Sequence, residues 1–328
     1  MRIPRTLALV ALALASPAAT IAAEKPAATA AGEPAAVTVS RSHQIDFTSD
    51  VTGRPYRLMV HVPAAPPPPG GYPIMVVLDG NLYFASFVDA LRLQGRYFLR
   101  PAVVIAIGYQ TDDIAQQLAI REKDLTLPVS AEALARPTYR AVMGDRAKST
   151  ADFGGLDPFL AMIEREAIPR ASALAPLDLE DRHMFGHSLG GLAGIRALFN
   201  GPASWRTITS SSPSIWWNDR AVLTDRPKLS ATARRPALLL IVGGREDEIP
   251  PGLPPGAVPP GIIDTARMAP NVKDLAAELS AGNEVAVSMV VLPDDDHVSI
   301  APLSISRALR FALGRHKEDW LRAPAAAD

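Results

Sequence analysis

Five consecutive residues, Gly186-His187-Ser188-Leu189-Gly190, carry the most chemically suggestive pattern in the chain. A serine hydroxyl becomes a nucleophile only when it is held accessible beside a base. The G-x-S-x-G spacing meets the first condition where it joins a strand to a helix. The serine then occupies a tight, strained turn, and glycines on either side remove the Cβ atoms that would collide there. The flanking residues supply that context. Arg182 to Phe185 reads as a short strand, and Leu189-Gly190-Gly191-Leu192-Ala193-Gly194-Ile195 opens a helix. Ser188 is therefore expected at a nucleophile elbow, with its hydroxyl above a sheet.

The base must be one of six histidines. His43 and His61 fall in an amino-terminal hairpin. His183 lies on the elbow strand, and His187, next to the nucleophile, is too constrained to serve it. His316 ends the last helix beside Lys317 and faces water. His297 remains, in Asp294-Asp295-Asp296-His297-Val298-Ser299 after the final strand, where the order serine, acid, histidine of the α/β-hydrolases places the base. The acid would hold the imidazole tautomer and stabilise the imidazolium. It belongs in Gly243-Gly244-Arg245-Glu246-Asp247-Glu248, past the strand Ala237–Val242, with Glu246 ahead of Asp247 and a bare Ser-His pair as the third option. The Asp294–Asp296 run reads either as a solvated turn or as carboxylates that raise the basicity of His297.

Acyl transfer also needs hydrogen-bond donors for the developing oxyanion, worth about 3 kcal/mol each. One is the backbone N–H of Leu189. The other comes from Gly80 or Asn81, where Leu78-Asp79-Gly80-Asn81 closes an earlier strand.

Other chemistries find no support. The chain contains no H-E-x-x-H, no G-x-x-x-x-G-K-S/T and no G-x-G-x-x-G, so no metal, cofactor or nucleotide is expected. With no cysteine, thiol catalysis, disulfides and cysteine-ligated zinc are excluded. Lysine and arginine number 33 against 34 acidic residues, a formal charge of −1, which provides no field for a nucleic-acid backbone.

The elements that must position these residues alternate along the chain. Val37–Phe47 and Tyr56–Val62 alternate apolar and polar residues, as an antiparallel hairpin does. Continuous apolar runs follow at 74–78, 102–107, 183–185, 207–209, 237–242 and 285–292, suited to strands covered on both faces. Helical patterns occupy 157–168, 189–199, 272–279 and 302–313. The expectation is an α/β fold: a mostly parallel central sheet with helices on both faces and an amino-terminal antiparallel hairpin. Two segments break the rhythm, Gln110–Thr150 and the proline-rich Ile249–Ile263, both candidates for a lid or pocket wall.

At the amino terminus, Arg2 and Arg5 precede an apolar run, Leu7–Ala15, followed by small residues to Ala23. That is the layout of a secretory signal peptide, too short for a membrane span. The domain reading is a signal peptide over 1–23, a disordered Ala/Pro linker over 24–36 and a catalytic domain over 37–320, exported to the periplasm or secreted, without lasting membrane insertion.

Taken together, Val77-Leu78-Asp79-Gly80, Ile107-Gly108-Tyr109, Arg121-Glu122-Lys123-Asp124-Leu125-Thr126, the elbow, Ser212-Pro213-Ser214-Ile215-Trp216-Trp217 and Asp296-His297 resemble the esterase D-like α/β-hydrolases. The branch of periplasmic siderophore trilactone esterases is closest, over roughly Val37 to Leu313. The resemblance implies an α/β-hydrolase fold and a serine esterase with Ser188 as nucleophile, His297 as base, and Gly80 and Leu189 as oxyanion donors. Some esterases of this branch work without the third acid. The implied substrate is a small-molecule ester, foremost a catecholate trilactone. Carbohydrate-linked and short acyl esters are alternatives, as are an acyltransferase and a non-catalytic binding module on the same scaffold. Trp216 and Trp217 form either a core plug or an aromatic wall for an aryl group. Arg121 either meets an anionic substrate or pairs locally with Asp124, and Arg245 has the same two options. A monomer or weak homodimer is expected.

Overall fold

In a computed structural model of the chain, residues 36–136, 139, 149–201, 204–228, 235–249, 252–253 and 261–315 are described. The chain divides into two units, Met1–Thr38 and Val39–Asp328. Of the first, only 36–38 are described, as exposed residues without regular structure. The expected signal peptide, nearly all of the linker, His316 and most of the Pro250–Pro260 loop lie outside the described residues.

The second unit is built on one sheet of eight strands: β1 Ser42–Thr48, β2 Pro55–His61, β3 Tyr72–Val77, β4 Val103–Gly108, β5 Leu177–His187, β6 Thr207–Ser211, β7 Ala237–Gly243 and β8 Ala286–Leu292. Their spatial order is β1-β2-β4-β3-β5-β6-β7-β8. β2 runs antiparallel to both β1 and β4, and every pairing from β4 to β8 is parallel. The mostly parallel sheet with an amino-terminal antiparallel pair is thus the one expected.

Why β3, β4 and β7 are apolar throughout follows from the two-residue period of a strand. On β3 and just beyond it, Ile74, Val76 and Leu78 enter one core, under the helices Leu156–Met162, Leu189–Asn200 and Met268–Ser280. Met75 and Val77 enter the other, under Gly80–Gly95 and Ile300–Leu313. Both faces are covered, and the serine hydroxyls that β6 places there are paired, Ser210 Oγ donating to Gly191 O and Ser211 Oγ lying 2.8 Å from Ser304 Oγ.

Three departures from the sequence reading have local causes. Pairing begins at Ser42 rather than at the exposed Val37. β5 is longer than its apolar stretch, because Leu177–Arg182 is a polar, partly exposed extension. Helix Ile114–Asp124 lies inside the segment read as a break. It lacks an apolar stripe because its buried side chains are Glu122 and Asp124, and only Asp113, whose carboxylate accepts from the amides of Ala115 and Gln116, marks its start. Among the described residues, no helix is long and apolar enough to cross a membrane.

Candidate active site

The elbow lies where β5 gives way to the helix Leu189–Asn200. Ser188 takes φ 61° and ψ −118°, a conformation that a residue with a Cβ adopts only when its surroundings enforce it. Three backbone bonds do so. Ser188 N donates to Ser211 O at 2.9 Å, while Ser188 O accepts from Leu192 N at 3.0 Å and Ser214 N at 3.1 Å. The turn is tight enough that a Cβ on Gly186 would sit 2.0 Å from the carbonyl oxygen of Gly190, which explains the first glycine of the motif.

Ser188 Oγ lies 3.0 Å from Nε2 of His297, and Nδ1 of His297 lies 2.8 Å from Oε2 of Glu246. A carboxylate only accepts, so Nδ1 carries the proton and Nε2 is free to take one from the serine. The Glu246 side chain is fully buried. Its other oxygen, Oε1, accepts from the Ser212 hydroxyl at 2.5 Å and the Gly243 amide at 2.6 Å. Three donors fix one carboxylate. A second hydroxyl, Ser214 Oγ, stands 3.3 Å from Ser188 Oγ.

Asp247, the alternative acid, points elsewhere. Its two oxygens accept from the amides of Met268 and Ala269 at 2.8 and 3.1 Å, at the start of the helix Met268–Ser280. Adjacent residues on a turn face opposite ways, and only Glu246 faces the histidine. Asp296 accepts from the amides of Val298 and Ser299, which hold its carboxyl below the usual range, and Asp295 accepts from the Ser299 hydroxyl. That turn shapes the His297 loop, while the ring's own hydrogen bonds go to Glu246 and Ser188.

The amides expected to meet an oxyanion begin two helices. Leu189 opens one. Gly80 and Asn81 open the helix Gly80–Gly95, where Leu82 N and Tyr83 N turn back to Asp79 O, leaving the two preceding amides outside the helix's own ladder. Gly80 has no space for a side chain, since a Cβ would lie 2.9 Å from the carbonyl of Ile107. The side chain of Asn81 is committed to Tyr109, accepting from its N–H at 2.7 Å and donating to its carbonyl at 3.1 Å.

Arg121 is a brace, and its partner is not Asp124. Its Nε and Nη2 grip Asp79 at 2.6 and 3.0 Å, and Nη2 also donates to His187 O at 3.1 Å. The pair joins the end of β3 to the residue before Ser188. Asp124 is instead buried against Arg54 and Tyr56. Arg121 does line the cavity beside Ser188, but with its charge already matched by Asp79. Arg245 pairs with Glu248 at 3.2 Å.

That cavity holds about 550 Å³. Ser188 and His297 open onto it, and Leu118, Trp216, Leu253, Ile262, Ile263 and Met268 give it apolar walls. The tryptophans divide. Trp216 faces the cavity, whereas Trp217 is wholly buried, donates to Leu127 O at 3.0 Å and packs against Phe153 with ring centroids 5.0 Å apart. Trp217 is the core plug and not a substrate wall.

The sequence reading missed Ser212, Ser214, Asp79 and Tyr83. The two serines stood in a noticed string, but their partners are 34 and 26 residues away. Only the placement of β6 between β5 and β7 puts its carboxyl end between the elbow and the acid.

No protein-family model matches the chain. It is 30% identical over 270 residues to the ferri-bacillibactin esterase BesA of Bacillus subtilis, covering 79% of this chain and 85% of that one. It is also 30% identical over 264 residues to a siderophore triacetylfusarinine C esterase of Aspergillus fumigatus, covering 76% and 83%. Among solved structures, the BES protein from Bacillus cereus matches with a TM-score of 0.70 at 26% identity, covering 86% of this chain and 99% of that one.

Proposed function

The chain belongs to the siderophore esterase family of α/β-hydrolases, and from that membership we propose that it hydrolyses the ester bonds of a siderophore trilactone through an acyl-enzyme on Ser188. The observation that carries the proposal is the unbroken line from the Ser188 hydroxyl through the His297 ring to the buried Glu246 carboxylate. His297 Nε2 takes the serine proton as Oγ attacks the ester carbonyl. The amides of Leu189 and of Gly80 or Asn81 receive the charge that grows on the carbonyl oxygen. The intermediate collapses, the alkoxide leaves with the proton held by His297, and water then repeats the sequence on the acyl-enzyme.

The substrate reading draws on the relatives and on the cavity. Its volume suits a ligand of several rings, and its mostly apolar walls with one tryptophan suit an aryl acyl group. The charged start, short apolar core and small residues of 1–23 support export to the periplasm.

The test is a hydrolysis panel on the purified mature protein, comparing a catecholate trilactone, iron-free and ferric, with acetylated and feruloylated sugars and a short p-nitrophenyl ester. The expected result is fastest turnover of the trilactone, with a fluorophosphonate labelling Ser188. Labelling with a preference for the sugar esters would overturn the substrate class. Absence of both labelling and turnover would overturn the enzyme reading itself.

A further inference from the structure

His187, the residue between the first glycine of the elbow and the nucleophile, has both ring nitrogens engaged. Nε2 lies 2.9 Å from the main-chain carbonyl oxygen of His297, and Nδ1 lies 3.2 Å from the hydroxyl of Tyr83. A carbonyl oxygen can only accept, so Nε2 carries a proton. The ring is buried, beside His297 and the Arg121 guanidinium, and these surroundings push it down to about 3. It is therefore neutral, Nδ1 is bare, and Tyr83 donates to it. One line of hydrogen bonds thus runs from Tyr83, on the helix Gly80–Gly95, through His187 to the backbone that bears His297.

The His297 loop needs such a support. Glu246 and Ser188 hold the histidine by its ring, and neither touches its main chain. The ring is partly exposed and Val298 beside it is largely exposed, so burial alone does not fix the segment. Asp296 folds the turn on itself, and Arg245 N reaches back to Asp295 O. The bond from His187 ties the base's backbone directly to the strand that carries the nucleophile. Tyr83 is itself wedged edge-on against Phe185 and His187, with centroids 5.9 and 6.2 Å away. The two histidine rings lie 4.9 Å apart, so a displacement of one is felt by the other.

We propose that His187 is a positioning residue for the catalytic histidine, holding the His297 main chain at the distance from Ser188 that proton transfer requires, with Tyr83 keeping it in the donating tautomer. The inference rests on Ser188 and His297 being nucleophile and base. A misplacement of the order of 1 Å between reacting groups costs about 100-fold in rate, which sets the expected scale.

Side-chain length gives the test. In His187→Gln the amide nitrogen reaches the place of Nε2 and can still donate to His297 O. In His187→Asn it reaches only the place of Nδ1, and His187→Phe keeps the ring's bulk without a donor. His187→Phe and His187→Asn should lower kcat by about 10- to 100-fold with KM nearly unchanged, and His187→Gln should restore most of it. Fluorophosphonate labelling of Ser188, which needs the same base, should slow in parallel. Tyr83→Phe, which leaves Nε2–H in place, should cost several-fold. The inference is overturned if folded His187→Phe has wild-type kcat, if the loss lies in KM, or if Gln does no better than Asn. Should the Phe variant fail to fold, by circular dichroism and thermal melting, the Gln–Asn comparison and Tyr83→Phe decide alone. Ser188→Ala and His297→Ala, run beside them, separate the two levels. If either retains turnover, the parent mechanism fails; if both abolish it and the His187 series is flat, only the positioning role fails.

Discussion

Replacing Glu246 by glutamine changes one oxygen to an amide nitrogen and leaves the shape intact, yet three donors converge on the native carboxylate: the Ser212 hydroxyl, the Gly243 amide and His297 Nδ1–H. An amide has one accepting oxygen, so it must choose. Turned so that the oxygen serves Ser212 and Gly243, it presents N–H to His297, whose proton must then move to Nε2. That tautomer cannot accept from Ser188. Turned the other way, the oxygen keeps the productive tautomer but the NH₂ meets the buried Gly243 N–H, an unsatisfied donor costing about 1–3 kcal/mol. The unproductive orientation is therefore the more populated one. The carboxylate charge is also gone. At an effective dielectric of ~20, an opposite charge roughly 4 Å from the imidazolium is worth about 4 kcal/mol. The two losses together come to about 5–7 kcal/mol, or a fall in kcat/KM of about 5,000- to 100,000-fold. Stopped-flow hydrolysis of a p-nitrophenyl ester, with fluorophosphonate labelling and a melting curve to show that the fold survives, makes the measurement. A folded Glu246→Gln enzyme within about tenfold of wild type would refute the reasoning and leave a Ser-His pair as the working site.

The neighbouring acid gives the opposite expectation: Asp247→Asn should leave kcat within about twofold, and any loss should show as a lower melting temperature, by about 1 kcal/mol of helix capping. The tryptophans should separate in the same way. Trp217→Phe leaves the Leu127 carbonyl without its buried donor and a gap beside Phe153, for about 2–4 kcal/mol of stability by denaturant titration, whereas Trp216→Ala should act mainly on KM for aryl esters. Arg121→Gln removes half of a buried ion pair with Asp79 and should cost about 3–5 kcal/mol, with inactivation tracking unfolding. His187 makes acid stability testable. Its folded value of about 3 lies below the ordinary 6.5, so between those values the unfolded chain holds the extra proton and stability falls as pH falls. At about 1.4 kcal/mol per pH unit, some 3 kcal/mol is lost between pH 7 and pH 4. The stability gap between wild type and His187→Gln should narrow by that amount in urea melts at the two pH values, and a gap independent of pH would refute it.

Strand-to-helix transitions and chain order are local properties, and both were legible. The glycine spacing around Ser188 dictates a tight turn wherever the chain goes, and the apolar runs declare strands dry on both faces. The position of His297 after the last run follows from the order of elements. What the sequence could not say is which of two adjacent side chains faces the site. Glu246 and Asp247 are chemically alike, as are Trp216 and Trp217, and a turn sends neighbours in opposite directions according to what waits on each side. Those neighbours come from elsewhere: Ser212 just past β6, the start of the helix Met268–Ser280 and Leu127 after the helix Ile114–Asp124. Arg121 shows the same limit, since Asp124, three residues on, was engaged by Arg54 while Asp79, 42 residues away, lies at the end of β3, which pairs with β4, the strand before the helix of Arg121. The sequence by itself singled out Ser188 and His297 as candidate nucleophile and base, and determined the sheet that presents them. Strand order in the folded sheet decided the acid, the brace and the walls, because buried charges and hydrogen bonds are matched across strands, and that matching leaves no trace in local spacing.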